Sequence, residues 1–257
     1  MNFAIISIAT GIKYVHYWEE LVLSFESSSV DVSKITFYLL TDHVSECEEF
    51  AEIKGLRVKC FEIPKYGWPE ATLLRYREIL NVSDKISEDV LIYLDADMLI
   101  CQDFISTLSP KDWENGIALV AHPGFWRSSG ISFITHYFQN PTKMLRDVFL
   151  QFRFGGLGTW ERNPKSFAFV QRRFRKRYVC GGTWMGWKTE FLDLVSECSQ
   201  AVDNDLERNF IATWHDESHL NKWNSMHKVT ILNPSYCFDP TYKHLNKIPE
   251  LIRAVQK

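Results

Sequence analysis

Apolar positions in the first hundred residues follow two alternating patterns. Short apolar runs at residues 3–8, 35–40, 57–63 and 90–94 have the length and the flanking turn residues of buried strands. Between them, Val15, Trp18, Leu21, Val22 and Phe25 recur at helical spacing across residues 14–25, and residues 72–80 read as a second helix. Strands alternating with helices predict a mostly parallel sheet covered on both faces. Ligands of such sheets sit beyond the carboxyl ends of the strands, where Gly11, Thr41-Asp42 and Asp95 fall.

The second half is less regular. Residues 126–176 hold no sustained period and are broken by Gly155-Gly156-Leu157-Gly158 and Asn163-Pro164, so a long irregular excursion is expected there. Order resumes at residues 178–187, followed by helices predicted over 189–202 and 218–225 and a late strand over 229–232. No internal repeat or low-complexity tract interrupts the chain.

Composition changes this picture little. A chain of 257 residues, 46% hydrophobic and 24% charged, suits one large α/β domain or two lobes sharing a core. Aromatic residues make up 14%, enough for a large aromatic core or for faces that stack on flat ligands and sugars. A net charge of −3 argues against nucleic acid as a partner. The basic run Arg172-Arg173-Phe174-Arg175-Lys176-Arg177 reads as a solvated loop, with an anion-attracting lid as the sharper alternative. Six cysteines without a C-x-x-C pair give neither a zinc ribbon nor a disulfide framework, and reduced thiols fit a cytoplasmic protein. The apolar N-terminal stretch lacks a preceding basic region and is too short to span a bilayer, as is every other stretch, so a soluble protein is expected.

Two clusters carry chemistry. Asp95-Ala96-Asp97 places two carboxylates inside an apolar stretch, where they need water, basic partners or a cation. Mg²⁺ or Mn²⁺ binds through one or two carboxylates plus phosphate oxygens, which suits a nucleotide-diphosphate leaving group. The bland alternative is a pair of turn aspartates. Trp214-His215-Asp216-Glu217-Ser218-His219 is the second cluster. Its histidines four apart evoke a zinc-protease helix, but Glu217 stands in the wrong position for a general base and no third ligand is evident. The other reading is a loop entering a helix and presenting carboxylates to a sugar, with Asp216 available as an N-cap.

Extended to Leu220-Asn221-Lys222, that second cluster resembles the hallmark of glycosyltransferase family 6. Collinear resemblances lie at residues 9–14, 37–42, 72–79, 93–97, 122–125, 161–167, 178–186 and 232–239. The resemblance implies a GT-A fold, with a Rossmann-like, mostly parallel sheet flanked by helices in one catalytic domain over residues 1–257. About 1–100 would be the nucleotide-binding half and about 101–257 the acceptor-binding and catalytic half. It implies retaining transfer of GalNAc or Gal from a UDP-sugar, in α-1,3 linkage, to a galactoside (possibly fucosylated) of an oligosaccharide or glycolipid-type acceptor. Mn²⁺ is the implied cofactor, with Mg²⁺ as a substitute.

By motif position, Asp95 and Asp97 would hold the metal and diphosphate, and Thr10, Gly11 and Tyr14 the uridine. Arg75, Ala96, Cys180, Gly181, Gly182 and Asp216 would complete the donor site. Glu217 would be the catalytic carboxylate, and His122, Trp214 and Asp239 would contact the acceptor. Gly182 stands where glycine accompanies GalNAc and alanine accompanies galactose in the family. Many bacterial members carry N-x-N and work without metal, so the retained Asp95 and Asp97 imply a need for the ion. Lys243, Lys247 and Arg253 are the candidates for a clamp on the diphosphate, in a chain whose C-terminus comes early for the family. A catalytically silent sugar-binding protein and a UDP-sugar hydrolase on the same scaffold are the alternatives.

Overall fold

The computed structural model describes residues 1–127, 137–138, 141–245 and 247–255. Its strands are β1 (Phe3–Ala9), β2 (Ile35–Thr41), β3 (Val58–Glu62), β4 (Val90–Leu94), β5 (Met98–Ile100), β6 (Ile117–Ala121), β7 (Val179–Trp187), β8 (Thr230–Leu232) and β9 (Ile252–Ala254). Seven of them form one sheet in the order β3-β2-β1-β4-β7-β6-β8, while β5 and β9 pair separately. Only β7 runs against the others, antiparallel to both β4 and β6.

Every residue of β1, β2 and β4 is buried, because helices cover both faces of the sheet. The period of two in each strand divides the interior into two cores. Phe3, Ile5, Phe37 and Leu39 pack with Trp18, Leu21 and Phe25 of helix α1 (Ile12–Ser27). Ala4, Ile6, Tyr38 and Tyr93 face the other way, onto helices α3 (Glu70–Leu73) and α4 (Arg75–Asn81) and the longer α6 (Lys188–Glu207). Trp184 of β7 anchors that second core, stacked 5.1 Å from Tyr93 and 4.5 Å from Phe191.

Several elements depart from expectation. The helix predicted over 72–80 is two short ones broken at Leu74, and α2 (Val44–Lys54) was not foreseen because only Cys47 and Ala51 of its residues are buried. β5, β6 and β9 are also additions. Within the stretch expected to be irregular lies α5 (Pro141–Phe154), while residues 128–136 and 139–140 of that stretch lie outside the described residues. The final helix, α7, spans His215–Met226, so it begins three residues before its predicted start. The six cysteines are all free thiols.

Candidate active site

The order in which strands are added reverses between β1 and β4, which run parallel: successive strands step one way from β1 to β3, and β4 lies on the other side. A crevice forms beyond the carboxyl ends at such a point. Gly11 lies there at a φ of 77°, a backbone conformation that favours glycine, and its N–H donates to Asp42 Oδ1 at 2.7 Å. Thr10 Oγ1 donates to the Tyr66 carbonyl at 3.1 Å. Thr10, Tyr14, Trp68, Arg75, Asp95 and Asp97 all line a cavity of about 240 Å³. Most of the expected donor-side residues are thus brought together, with Tyr66 and Trp68 as additions.

Arg75 holds the floor of this crevice. It is buried, and its Nη1 lies 3.1 Å from Asp95 Oδ1, 3.1 Å from Asp216 Oδ2 and 3.1 Å from the Gly181 carbonyl, to which it donates. Its guanidinium also sits 4.8 Å from the centre of the Tyr93 ring, whose hydroxyl donates to Asp95 Oδ1. A buried cation shared between carboxylates offsets a desolvation cost that none of the three could meet alone.

Asp216 and Glu217 are held differently. Burial pushes the Asp216 carboxyl up to about 7, with Arg75 pulling it down and Asp95 and Glu217 pushing it further up. Burial likewise pushes Glu217 up to about 7, opposed chiefly by the Gly181 N–H, which donates to Glu217 Oε2 at 2.9 Å, and by the Tyr178 hydroxyl. Two consecutive β7 glycines therefore connect the two clusters. Gly181 binds Glu217, while the Gly182 carbonyl accepts the Asp95 N–H at 3.0 Å.

A side chain at either glycine would make its neighbours move. A Cβ on Gly181 would lie 2.9 Å from Asp216 Oδ2, and one on Gly182 would lie 2.6 Å from Met98 Cε and 3.0 Å from Asp95 Oδ2. Cys180, next in line, is buried with its thiol against Cys237.

The expectation that Asp216 and Glu217 lie in a loop ahead of a helix is corrected: they occupy the first turn of α7, with Trp214 as N-cap. Free N–H groups and the helix dipole favour carboxylates in that turn. His215 enters the helix at a φ of 42°, a left-handed conformation that costs a side-chain-bearing residue strain. The surroundings hold it there. Glu161 accepts hydrogen bonds from both the N–H and the hydroxyl of Thr213 at 2.8 Å, and the Trp214 N–H donates to Ser218 Oγ at 3.0 Å. Asn221 bonds both the N–H and the carbonyl of Val179 and donates to the Glu217 carbonyl, locking α7 onto β7. The Tyr76 hydroxyl donates to the Asp216 carbonyl at 3.0 Å.

The two histidines of the zinc alternative serve elsewhere. His215 lies edge-on to Trp68 at 4.8 Å, and His219 is buried 3.5 Å from Asp205. Among the described residues no group of three or more His, Cys, Asp or Glu side chains is placed to hold a metal. Asp95 and Asp97 alone would leave most of a cation's coordination to diphosphate oxygens and water, a donor set that fits Mg²⁺ or Mn²⁺ and not a protein-enclosed zinc.

Across β7, Trp214 is half-exposed and borders a pocket of about 200 Å³ with Phe125, Trp160 and Thr213. His122 packs 4.9 Å from Phe125, and its Nδ1 accepts the Gly124 N–H at 3.0 Å. Burial holds the His122 imidazole down at about 4, against the pull of Asp239, so it is neutral at pH 7. The Asp239 carboxylate accepts from the N–H and hydroxyl of Thr241.

Of the basic candidates near the C-terminus, Arg253 pairs with Glu250 at 3.1 Å and lines a different cleft with Leu99 and Cys101. Lys243 and Lys247 are exposed and stand outside the donor-side cavity. The expected solvated loop at 172–177 is largely exposed.

Besides Tyr66 and Trp68, Glu161, Tyr178 and Asn221 are site residues that carried no assigned role in the sequence. Only the resemblances over 161–167 and 178–186, and the hallmark itself, drew attention to their surroundings.

Residues 145–257 match glycosyltransferase family 6. The chain is 27% identical over 235 residues to the rat "Histo-blood group ABO system transferase 1", a match covering 88% of this chain and 58% of that protein. It is 27% identical over 238 residues to the Escherichia coli "O-antigen biosynthesis glycosyltransferase WbnI", covering 91% and 87%. To the chicken "Globoside alpha-1,3-N-acetylgalactosaminyltransferase 1" it is 23% identical over 244 residues, covering 93% and 62%. The chain thus spans about three-fifths of the length of the vertebrate relatives it matches. The mostly parallel seven-stranded sheet between helices is the GT-A architecture of that family. Collinear relatives along nearly the whole chain, the match over residues 145–257 and the sheet itself agree in making this chain similar to the members of glycosyltransferase family 6.

Proposed function

We propose that this protein is a retaining glycosyltransferase that moves GalNAc or galactose from a UDP-sugar to a galactoside acceptor, possibly fucosylated, forming an α-1,3 linkage with the help of Mn²⁺ or Mg²⁺. One observation carries the reading: adjacent glycines of β7 bring the half-buried Glu217 to one side and Asp95 to the other, with Arg75 joining Asp95 to Asp216. The continuous sheet supports residues 1–257 acting as one catalytic domain, with the nucleotide bound over about 1–100 and the acceptor over about 101–257.

In this reading Thr10, Gly11 and Tyr14 receive the uridine. Asp95 and Asp97 hold the cation, which when bound neutralises charge on the departing diphosphate. Arg75 fixes the Asp95 and Asp216 carboxylates, and Asp216 accepts hydrogen bonds from donor-sugar hydroxyls. Ala96, Cys180, Gly181 and Gly182 shape the space around that sugar. Glu217, once ionised, faces the positive charge that develops at the anomeric carbon. His122, Trp214 and Asp239 orient the acceptor, with Trp214 offering an aromatic face to a sugar ring. The glycine at 182 stands where glycine accompanies GalNAc in the family, and a methyl added there would press on Asp95 Oδ2 of the donor site, 3.0 Å away.

Incubation with UDP-GalNAc or UDP-Gal, Mn²⁺ and a fucosylated galactoside tests the proposal. A new trisaccharide supports it. Free sugar alone makes the protein a hydrolase, and binding without turnover makes it a silent sugar-binding protein.

A further inference from the structure

Residues 126–177 contain eleven of the chain's 29 lysines and arginines but only two of its 32 acidic residues. Those two, Asp147 and Glu161, are both buried, and Asp147 is paired with Arg127 at 2.7 Å and with Arg146 at 3.1 Å. An otherwise acidic protein therefore has one strongly cationic stretch, of which Arg127, Arg175, Lys176 and Arg177 gather on one face around a single cleft.

Helix α5 stands on that face. Asp147 tethers it to the body, and Arg172 of the basic run donates to the carbonyls of Gln151 and Phe152 near its end. Met144, Leu145, Val148, Phe149 and Phe152 fall within an arc of about 140° at 100° per residue, whose middle lies about 130° from the tether; Met144 and Val148 at its near side share a cleft with Asp147. On the outer part of the arc Leu145 is 66% exposed and Phe152 75%. Phe138 and Phe174 are exposed nearby in the chain. Arg146 and Arg153 border the arc by the same count.

We infer that α5 and the adjoining basic run form a docking surface for an anionic lipid bilayer, with α5 lying in the interface and not crossing it. No helix among the described residues is long and apolar enough to cross a membrane. A short amphipathic helix with aromatic and aliphatic side chains on one arc and cations beside it has the chemistry of an interfacial helix. The basic residues then sit among anionic headgroups. Charge decides against a second copy of the chain, because a symmetric contact would press two cationic faces together. The surface adjoins the acceptor side, since Leu150 of α5 and Arg175 border the pocket that Trp214 lines. A lipid-linked acceptor would thus be met at its own surface, a consequence that rests on the transferase reading, whereas membrane binding does not.

Sedimentation of the full chain with vesicles tests the inference without reading activity. Binding is expected to phosphatidylethanolamine–phosphatidylglycerol vesicles and not to pure phosphatidylcholine, and to weaken at high salt. Leu145→Ser with Phe152→Ser, and separately Arg173→Ala with Arg177→Ala, should each weaken binding by about tenfold or more. Thermal melting should be unchanged, because these side chains are exposed. Failure to bind anionic vesicles, equal binding to phosphatidylcholine, or undiminished binding by both folded variants overturns the inference. So does a dimer in solution that Leu145→Ser with Phe152→Ser converts to monomer, which assigns the face to a second copy.

Discussion

Replacing Glu217 by Gln should inactivate the protein and stabilise it at the same time, and the gain should depend on pH. Burial raises the Glu217 carboxyl from an ordinary 4.5 to about 7 in the folded chain. The folded state therefore binds a proton that the unfolded state has released over that interval. Its stability contribution is fully present below the unfolded value and is lost as pH rises through the folded one. At about 1.4 kcal/mol per pH unit, ionised wild-type Glu217 lowers stability by up to about 3 kcal/mol above pH 7. Glutamine carries no charge to desolvate, and its amide oxygen can still accept the Gly181 N–H. Allowing for imperfect replacement, a gain of about 1–3 kcal/mol is expected at pH 8, roughly 2–10 °C in Tm for a chain of this size. At pH 5 the folded wild-type group is mostly protonated while the unfolded one is already partly ionised, so the gain should shrink to about a quarter of its pH 8 size. Thermal denaturation of both proteins at pH 5 and pH 8, without donor and with EDTA, measures it. Equal melting at pH 8, or a gap of the same size at both pH values, refutes the placement of Glu217 as a buried, proton-holding carboxyl. Turnover of Glu217→Gln should fall by orders of magnitude with UDP binding nearly intact, and unchanged turnover removes the residue from the mechanism.

Arg75→Met removes the cation shared by Asp95 and Asp216 and should cost about 3–5 kcal/mol, read as loss of Tm or of soluble protein; a melting curve like the wild type's would show that the pairs contribute nothing. Gly182→Ala can be accommodated by movement of the flexible Met98 methyl, and should shift donor preference from GalNAc towards galactose in a competition assay. An unaltered ratio detaches position 182 from donor choice. Chelation with excess EDTA should abolish transfer and Mn²⁺ should restore it, whereas full activity in EDTA defeats the metal role of Asp95 and Asp97.

What could be read from the sequence follows from how each element is buried. β1, β2 and β4 are covered on both faces, so they appear as unbroken apolar runs, and α1 shows a clean stripe because one side meets the sheet. The placement of Asp95 at a strand end followed from β4 alone. Helix α5 defeated the same logic, since its apolar residues face outward and the neighbouring glycines suggested disorder of pattern. The start of α7 was missed because no residue type announces a left-handed His215. Positions that depend on partners far along the chain were legible only through resemblance. Arg75 meets the Gly181 carbonyl across 106 residues of chain, and the Tyr76 hydroxyl meets the Asp216 carbonyl across 140. Glu161 and Asn221 lay in stretches that carried only a resemblance, because their roles are set by backbone partners at Thr213 and Val179.

The position of β7 has a consequence for anyone who would build hybrids of this protein. The strand made last but one in the large sheet is inserted between β4 and β6, both synthesised at least fifty-odd residues earlier. Until residues 179–187 leave the ribosome, β4 offers its apolar edge to any passing strand, an invitation to aggregation that a chaperone would have to shield. Swapping the two halves with a relative near residue 100 would also mate one parent's Val90–Leu94 with the other's Val179–Trp187. A crossover that keeps those two segments from the same parent preserves the seam on which both acidic clusters depend.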